Sequence, residues 1–505
     1  MNSVVEKAMT RREVLLATRF GERIAEEEGN ELNAYFVETD PWRRIYGGEV
    51  DVVYGVKGAG KSAIYSLLLS RSEALLKRGI IVVAAENPRG VPIFRDLTAE
   101  PPPGENEFRG IWKLYFLSLI AQQLRVHNVA PELARKVIEP LESAGLLEKT
   151  ASLRTLLRST VDYVRHFFRV EGIEGGVRYD PISGLPNGII GQILLREPDT
   201  AARNRGHLSV DRLFEYAEEA LAQSNLTVWL ALDRLDVAFA DSDELEGNAL
   251  RALFRTYLDL LQHRHISLKI FLRSDIWQRI LAVGFREASH VTRHLTISWS
   301  HPALLNLVVR RALHNDALRA FYQVNEAEVL ADVQKQTKLF YRIFPDQVES
   351  GPKRPKTFDW MLSRTRDAFD QNAPRELIHL LTSAKNEELQ RLELGYAEPP
   401  KEALFARSSL TDALPEVSRV RYEQTLCAEF PALRPWFQKL EGERTEQTPD
   451  SLAAVWNVSR DIALERADRL CEVGFFEKQG SRDDLSFRVP FLYRPALKMV
   501  QGSAE

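Results

Sequence analysis

Residues 51–69 read Asp51-Val52-Val53-Tyr54-Gly55-Val56-Lys57-Gly58-Ala59-Gly60-Lys61-Ser62-Ala63-Ile64-Tyr65-Ser66-Leu67-Leu68-Leu69. A short apolar run of strand length leads into a glycine-rich octet, and the octet leads into a helical pattern. Gly55 to Ser62 matches G-x-x-x-x-G-K-[ST] in the strand–loop–helix context that gives the pattern its meaning. The glycines let the backbone wrap a phosphate, and successive N–H groups plus the helix N-terminus present positive potential to it. The expected phosphate-binding set is Gly55, Val56, Lys57, Gly58, Ala59, Gly60, Lys61, Ser62 and Ala63. Lys61 is expected to reach the β- and γ-phosphates of a nucleotide, and the Ser62 hydroxyl to ligate Mg²⁺.

Such a loop needs an acidic strand to complete the metal shell. Thr227-Val228-Trp229-Leu230-Ala231-Leu232-Asp233 is a continuous apolar run suited to a strand buried on both faces of a parallel sheet. Asp233 stands at its carboxyl end, where ligands bind in open α/β sheets, and is the expected Mg²⁺-side carboxylate. Asp236 follows and is the candidate for positioning the attacking water. A third strand, Ser267 to Leu272, ends in Arg273-Ser274-Asp275. Arg273 either senses the γ-phosphate from the strand tip or pairs structurally with Asp275 or Asp233. Ile80 to Ala85 and His294 to Trp299 read as two more strands, and Pro302 to Leu313 as a helix.

Composition sets the outer limits. At roughly 150 residues per domain, 505 residues hold about three domains, or two with insertions. Apolar residues at 44 % and charged residues at 27 % exclude disordered, collagen-like and disulfide-scaffold classes. A net charge of −4 argues against nucleic-acid binding by bulk charge. Cys427 and Cys471 make no framework and have no metal-like spacing, so a reducing, cytoplasmic setting is expected. No secretory h-region opens the chain, and no run of about 18 apolar residues predicts a membrane span.

The glycine-rich loop, the strand ending Leu232-Asp233-Arg234-Leu235-Asp236 and the strand ending in Arg273 together resemble the AAA+/STAND group of P-loop NTPases. Two further stretches are similar to a bacterial family of P-loop ATPases whose relatives often occur in phage-defence islands. One is Phe20 to Glu26 with Tyr35 to Thr39, and the other is Lys269 to Trp277. The resemblance implies an α/β P-loop sheet, ATP as ligand, and an adenine pocket walled by Tyr35, Phe36 and Val37. It also implies a helical lid in which Asn372-Ala373-Pro374-Arg375 places Arg375 against the γ-phosphate. An ordinary helix start with proline in its first turn fits the same letters. Many AAA+ enzymes carry Glu directly after the metal Asp, whereas Arg234 stands here, so slow, switch-like hydrolysis is expected. Arg286 and Arg293 lie where oligomeric relatives place an arginine finger; ordinary surface arginines fit as well, and Arg310 and Arg311 are weaker candidates.

The remaining chain predicts a segment of helical character over 1–46, with the run Glu26-Glu27-Glu28 as a solvated face. The ATPase core spans 47–313 with an insertion at about 100–207, helical at first (Ile111 to Leu124, Leu153 to Phe168) and then rich in Gly and Pro. A lid and connector fill 314–447. In 448–505, Pro449 to Trp456, a Ser459-capped helix to Val473 and a hairpin around Gly480-Ser481 follow winged-helix order. Its second helix sets Arg460, Arg466 and Arg469 against Asp461, Glu465, Asp468 and Glu472. A groove-reading helix usually runs positive, so contact with protein is favoured over contact with DNA. The expected function is an ATP- and Mg²⁺-dependent switch coupled to a homo-oligomer or protein effector, with no membrane role. A DNA-associated ATPase of origin-recognition or loader type and a non-hydrolysing ATP-binding scaffold are the alternatives.

Overall fold

The computed structural model describes residues 9–29, 31–87, 103–148, 152–171, 193–195, 197–198, 200, 204, 206–235, 243–481 and 484–504. The chain divides into two compact units. One, the sheet unit, holds residues 40–55 and 61–297; the other, the helical unit, holds residues 1–39, 56–60 and 298–505.

Five strands build the sheet unit: β1 (Val52–Gly55), β2 (Ile80–Ala84), β3 (Thr227–Leu232), β4 (Ile266–Arg273) and β5 (His294–Thr296). Their order is β2-β3-β4-β1-β5, and every pairing is parallel. The fold is therefore α/β, as the uninterrupted apolar runs predict. All five predicted strands form, with ends that move by no more than a few residues. In β1 and β3 nearly every side chain is buried, because helices cover both faces of a parallel sheet.

The expected insertion supplies much of this unit's core. Its helix Glu105–Val126 buries Phe108, Ile111, Trp112, Leu114, Tyr115, Phe116 and Leu117 together, leaving little amphipathic contrast. That follows from its surroundings, since it packs against the helices Pro131–Ser143, Leu153–Glu171, Val210–Gln223 and Asp243–Leu260. The Gly- and Pro-rich stretch falls largely outside the described residues. Near its end, Ile193–Leu194 pairs in parallel with Leu208–Ser209.

At the amino ends of the central strands a charged cluster is buried. Lys269 and Asp51 are each 2 % exposed, and Lys269 Nζ donates to Asp51 Oδ1 at 2.7 Å and to the Val50 carbonyl at 2.8 Å. The ammonium also lies 4.3 Å from the Trp229 ring centroid. Arg293 Nε lies 3.0 Å from Asp51 Oδ2, and Tyr257 Oη donates to the same oxygen at 3.3 Å. Burial pushes the Lys269 pKa down against the pull of Asp51. Removing one partner of such a pair leaves an uncompensated buried charge.

The helical unit has its own core, drawn from Val14 and Leu15 through Leu304–Leu313 to Tyr493 and Leu497. Here the acidic run departs from expectation. Glu28 is buried, because Arg311 Nη1 donates to its Oε1 at 2.6 Å and Nη2 to its Oε2 at 3.2 Å. Arg311, 5 % exposed, stacks 4.4 Å from the Tyr35 ring and also donates to the Phe20 carbonyl at 2.7 Å. This arginine closes a buried cluster in its own unit, which removes it as a finger. Toward the C-terminus, helix Pro449–Trp456 ends at Asn457 in the left-handed region (φ 52°), and Ser459 caps helix Arg460–Glu472. Strands Glu477–Gln479 and Ser486–Arg488 form an antiparallel hairpin, and Ser486–Arg488 also pairs with Arg444–Gln447.

Asp51→Asn is expected to lower the stability of the folded protein by about 3–5 kcal/mol, because it leaves the Lys269 charge buried alone. Pairing Asp51→Leu with Lys269→Met should recover most of that loss. Denaturation midpoints of the single and double variants measure it; equal destabilisation in both would show that the two charges are not coupled.

Candidate functional site

The carboxyl edge of the sheet collects the expected residues of the sheet unit. β1 ends at Gly55, and the helix Lys61–Ser70 starts at the motif lysine. Lys61 Nζ donates to the Gly55 carbonyl at 2.8 Å, so the ammonium turns back onto the end of β1. Gly55 is the register partner of Arg273 on the neighbouring β4. Arg273 thus stands beside the residue from which the glycine-rich loop departs. It also makes a two-pronged pair with Asp275, Nε to Oδ1 at 3.0 Å and Nη2 to Oδ2 at 2.7 Å. Burial opposes ionisation of the Asp275 carboxyl, yet the Arg273 guanidinium holds its pKa below the ordinary value. Both readings of Arg273 therefore have a geometric basis.

Asp233 follows β3 directly and is 3 % exposed. Arg234 after it adopts φ 59°, a left-handed conformation that is costly for a residue with a side chain. The chain therefore leaves the strand direction immediately past the carboxylate. Asp236 lies outside the described residues.

The loop's middle, Val56–Gly60, belongs to the helical unit. Gly58 and Gly60 have φ of +83° and +100°, where glycine alone is comfortable. A Cβ at Gly58 would also stand 3.0 Å from Arg375 Cβ and 3.3 Å from Glu376 Oε2. Trp299 Nε1 donates to the Ala59 carbonyl at 2.9 Å, and Lys57 pairs with Glu429. Arg375 sits in the first turn of the helix Pro374–Glu393, a helix start with proline in its first turn. Its Nε and the Oε2 of Glu376 are buried and have no hydrogen-bond partner among the described residues. Glu376 Oε1 accepts from Arg421 Nη1 at 3.0 Å, and Arg421 Nη2 lies 3.6 Å from Asp367 Oδ2.

The implied adenine wall is placed less simply. Tyr35 is buried at the end of the helix Glu31–Tyr35, edge-on to His314 and beneath Arg311. Val37 packs on the helical unit's core, and Phe36 is half-buried. Of the two finger candidates, Arg286 is exposed in a short 3₁₀ turn, whereas Arg293 is bound to Asp51 at the sheet's opposite edge.

A glycine-rich loop that leads into the start of the helix Lys61–Ser70 has the backbone form that suits the phosphates of a nucleotide. Ser62 and Asp233 offer the oxygen donors that suit Mg²⁺. Sequence reasoning missed Glu86, Trp299, Glu376 and Glu429. Only Glu86 carried a signal: it follows the apolar run Ile80 to Ala85, as Asp233 follows its own strand. The other three act through contacts distant in sequence.

No protein-family model matches the chain, and no curated protein matches it. Among solved structures it is similar to the Aeropyrum pernix ORC2 protein in its ADPNP–ADP complexes, at 14 % identity and a TM-score of 0.29 over 98 % of this chain and 97 % of that one. The ADP form of the same protein gives 14 % and 0.32 over 91 % and 90 %. Drosophila ORC bound to DNA gives 12 % and 0.30 over 98 % and 93 %. Likeness at this level carries no inference about activity, so the reading of the site rests on its own geometry.

Proposed function

We propose that the protein is an ATP-binding, Mg²⁺-dependent P-loop ATPase that works as a nucleotide-controlled switch. The carrying observation is the chain after β1, with positive φ at Gly58 and Gly60 and Lys61 bonded back to the Gly55 carbonyl, together with buried Asp233 at the carboxyl end of β3. Backbone amides and Lys61 would hold the phosphates, while Ser62 and Asp233 would hold Mg²⁺. The metal supplies neutralisation of charge on the β- and γ-phosphate oxygens. Arg273 and Arg375 are the candidates to sense the γ-phosphate, and Tyr35, Phe36 and Val37 remain the proposed adenine wall. Arg234 beside Asp233 brings no second carboxylate at that position, in keeping with slow turnover.

The switch reading is supported by Lys57 and Gly58. Lys57 is paired with Glu429, and Gly58 lies against Arg375 and Glu376, whose partner Arg421 belongs to the helix Leu414–Arg421. Phosphate would compete with the Glu429 carboxylate for the Lys57 ammonium. The loop's charge state would then be felt by the segment running on toward the winged-helix-like end. A protein partner or a second copy of the chain is favoured there over DNA. Arg460 and Arg469 are paired with Asp450 and Glu472, Lys478 with Asp468, and Arg466 stacks 5.0 Å from the Trp436 ring centroid. Cations so engaged would have to exchange partners before reaching phosphates. The resemblance to ATPases of defence islands supports a bacterial anti-phage role.

Lys61→Ala is expected to abolish ATP affinity by equilibrium binding. Asp233→Ala should keep binding and lose Mg²⁺-dependent phosphate release; normal release from both variants would end the ATPase reading. ATP should change proteolytic protection across 414–440 in the wild type and leave it unchanged in Lys61→Ala, while Glu429→Gln should reproduce the change without nucleotide. Protection that ignores both would remove the switch. A host carrying the gene should plate phage less efficiently than one carrying Lys61→Ala, and equal plating would discard the defence role.

A further inference from the structure

Glu86 follows β2 and has no exposed surface. β2 and β3 are paired with Ala84 opposite Ala231, and the Ala85 amide continues the ladder by donating to the Ala231 carbonyl at 2.8 Å. Extending that register by two residues sets Glu86 opposite Asp233, with neighbouring parallel strands roughly 4.8 Å apart. Residues in register point to the same face of a sheet. Both acids therefore belong to the carboxyl edge that carries the phosphate loop.

Tyr65 ties the pair to the loop. It lies one turn after Lys61 and Ser62 on the same helix, and its hydroxyl donates to the Glu86 carbonyl at 2.7 Å. Burial raises the Tyr65 pKa first, and the nearby Asp233 and Glu86 charges raise it further. One carboxylate oxygen of Glu86 accepts from the Asn87 amide at 2.6 Å, and Tyr115 donates to the Ala85 carbonyl at 2.9 Å, so the group is held on a rigid frame. The Glu86 side chain is thus buried at the same edge as Asp233. Its place beside the metal-side acid has a use, because Arg234 next to Asp233 cannot accept a proton.

We propose that Glu86, on the strand adjacent to Asp233, is the catalytic carboxylate that orients and deprotonates the water attacking the γ-phosphate, an assignment that rests on the ATPase reading above. The water oxygen bonds to the γ-phosphorus as the bond from that phosphorus to the bridging oxygen breaks. The electron pair leaves with ADP. The water's proton passes to Glu86 and from there to solvent, leaving inorganic phosphate. Asp233 keeps its metal-side role, and the proton-accepting role that AAA+ enzymes give to the next residue is carried here by the neighbouring strand.

The test uses the full-length protein with Mg²⁺–ATP and compares wild type, Glu86→Gln, Glu86→Asp, Asp236→Asn and Lys61→Ala. Glu86→Gln keeps size and folding but removes the base. It should slow phosphate release by at least about a hundredfold while ATP affinity stays within about threefold of wild type. Nucleotide that stays with this variant after desalting should be intact ATP, whereas wild type should carry ADP. Glu86→Asp should retain an intermediate rate. The assignment is overturned if Glu86→Gln turns over within about threefold of wild type, if it loses ATP affinity as Lys61→Ala does, or if only Asp236→Asn slows release. Wild type that binds ATP without releasing phosphate above the Lys61→Ala background overturns Glu86 alone. Wild type with no ATP affinity removes the ATPase reading and this assignment with it.

Discussion

The buried Asp51–Lys269 pair sets the frame on which the site depends. The two residues lie just before and within neighbouring strands, so their bond joins β1 to β4 at the amino end of the sheet. A charge pair with so little exposure tolerates no slippage, since a shift of one residue would strand both charges in the core. The register it reinforces puts Gly55 opposite Arg273 at the other end of the same strands. Arg293 and Tyr257 add bonds to Asp51 and connect β5 and the helix Asp243–Leu260 to the same anchor. The carboxyl end of β1, where the glycine-rich loop begins, is thus held from the opposite end of the sheet.

A second constraint acts at the carboxyl edge. Gly58 and Gly60 have backbone conformations that leave no room for ordinary residues, and Arg234 adopts one at a cost. Buried acids occur in both units: Glu86 and Asp233 in the sheet unit, and Glu376, bonded to Arg421, in the helical unit. Such groups add little to stability once desolvation is counted. Buried charges of this kind are what a site requires and what a core built only for packing avoids.

Local pattern made much of this readable. The octet at 55–62, the apolar runs that became strands and the capped helices of the C-terminal segment depend on neighbours in sequence, and sequence carries that information directly. Partners chosen across the chain were not readable. Glu28 looked like part of a solvated acidic face until Arg311, far along the chain, proved to neutralise it. Arg293 fitted an arginine finger or an ordinary surface arginine, and Arg311 was the weaker candidate, yet each is bound to a carboxylate of its own unit. The helix Glu105–Val126 read as part of an insertion, whereas its burial on nearly every side makes it central to the sheet unit's core.

The sequence by itself determined that a glycine-rich loop follows a buried strand, that acids and an arginine end later strands, and that the chain carries little net charge. These are properties of spacing and composition, which do not change on folding. The tertiary structure alone decided which strands became neighbours and therefore which side chains meet at one edge. Strand order brought Arg273 beside Gly55 and Glu86 beside Asp233, although the chain places each pair well over a hundred residues apart. Hydrogen-bonded pairing between strands is blind to sequence distance, so the composition of the site became visible only when the sheet was assembled.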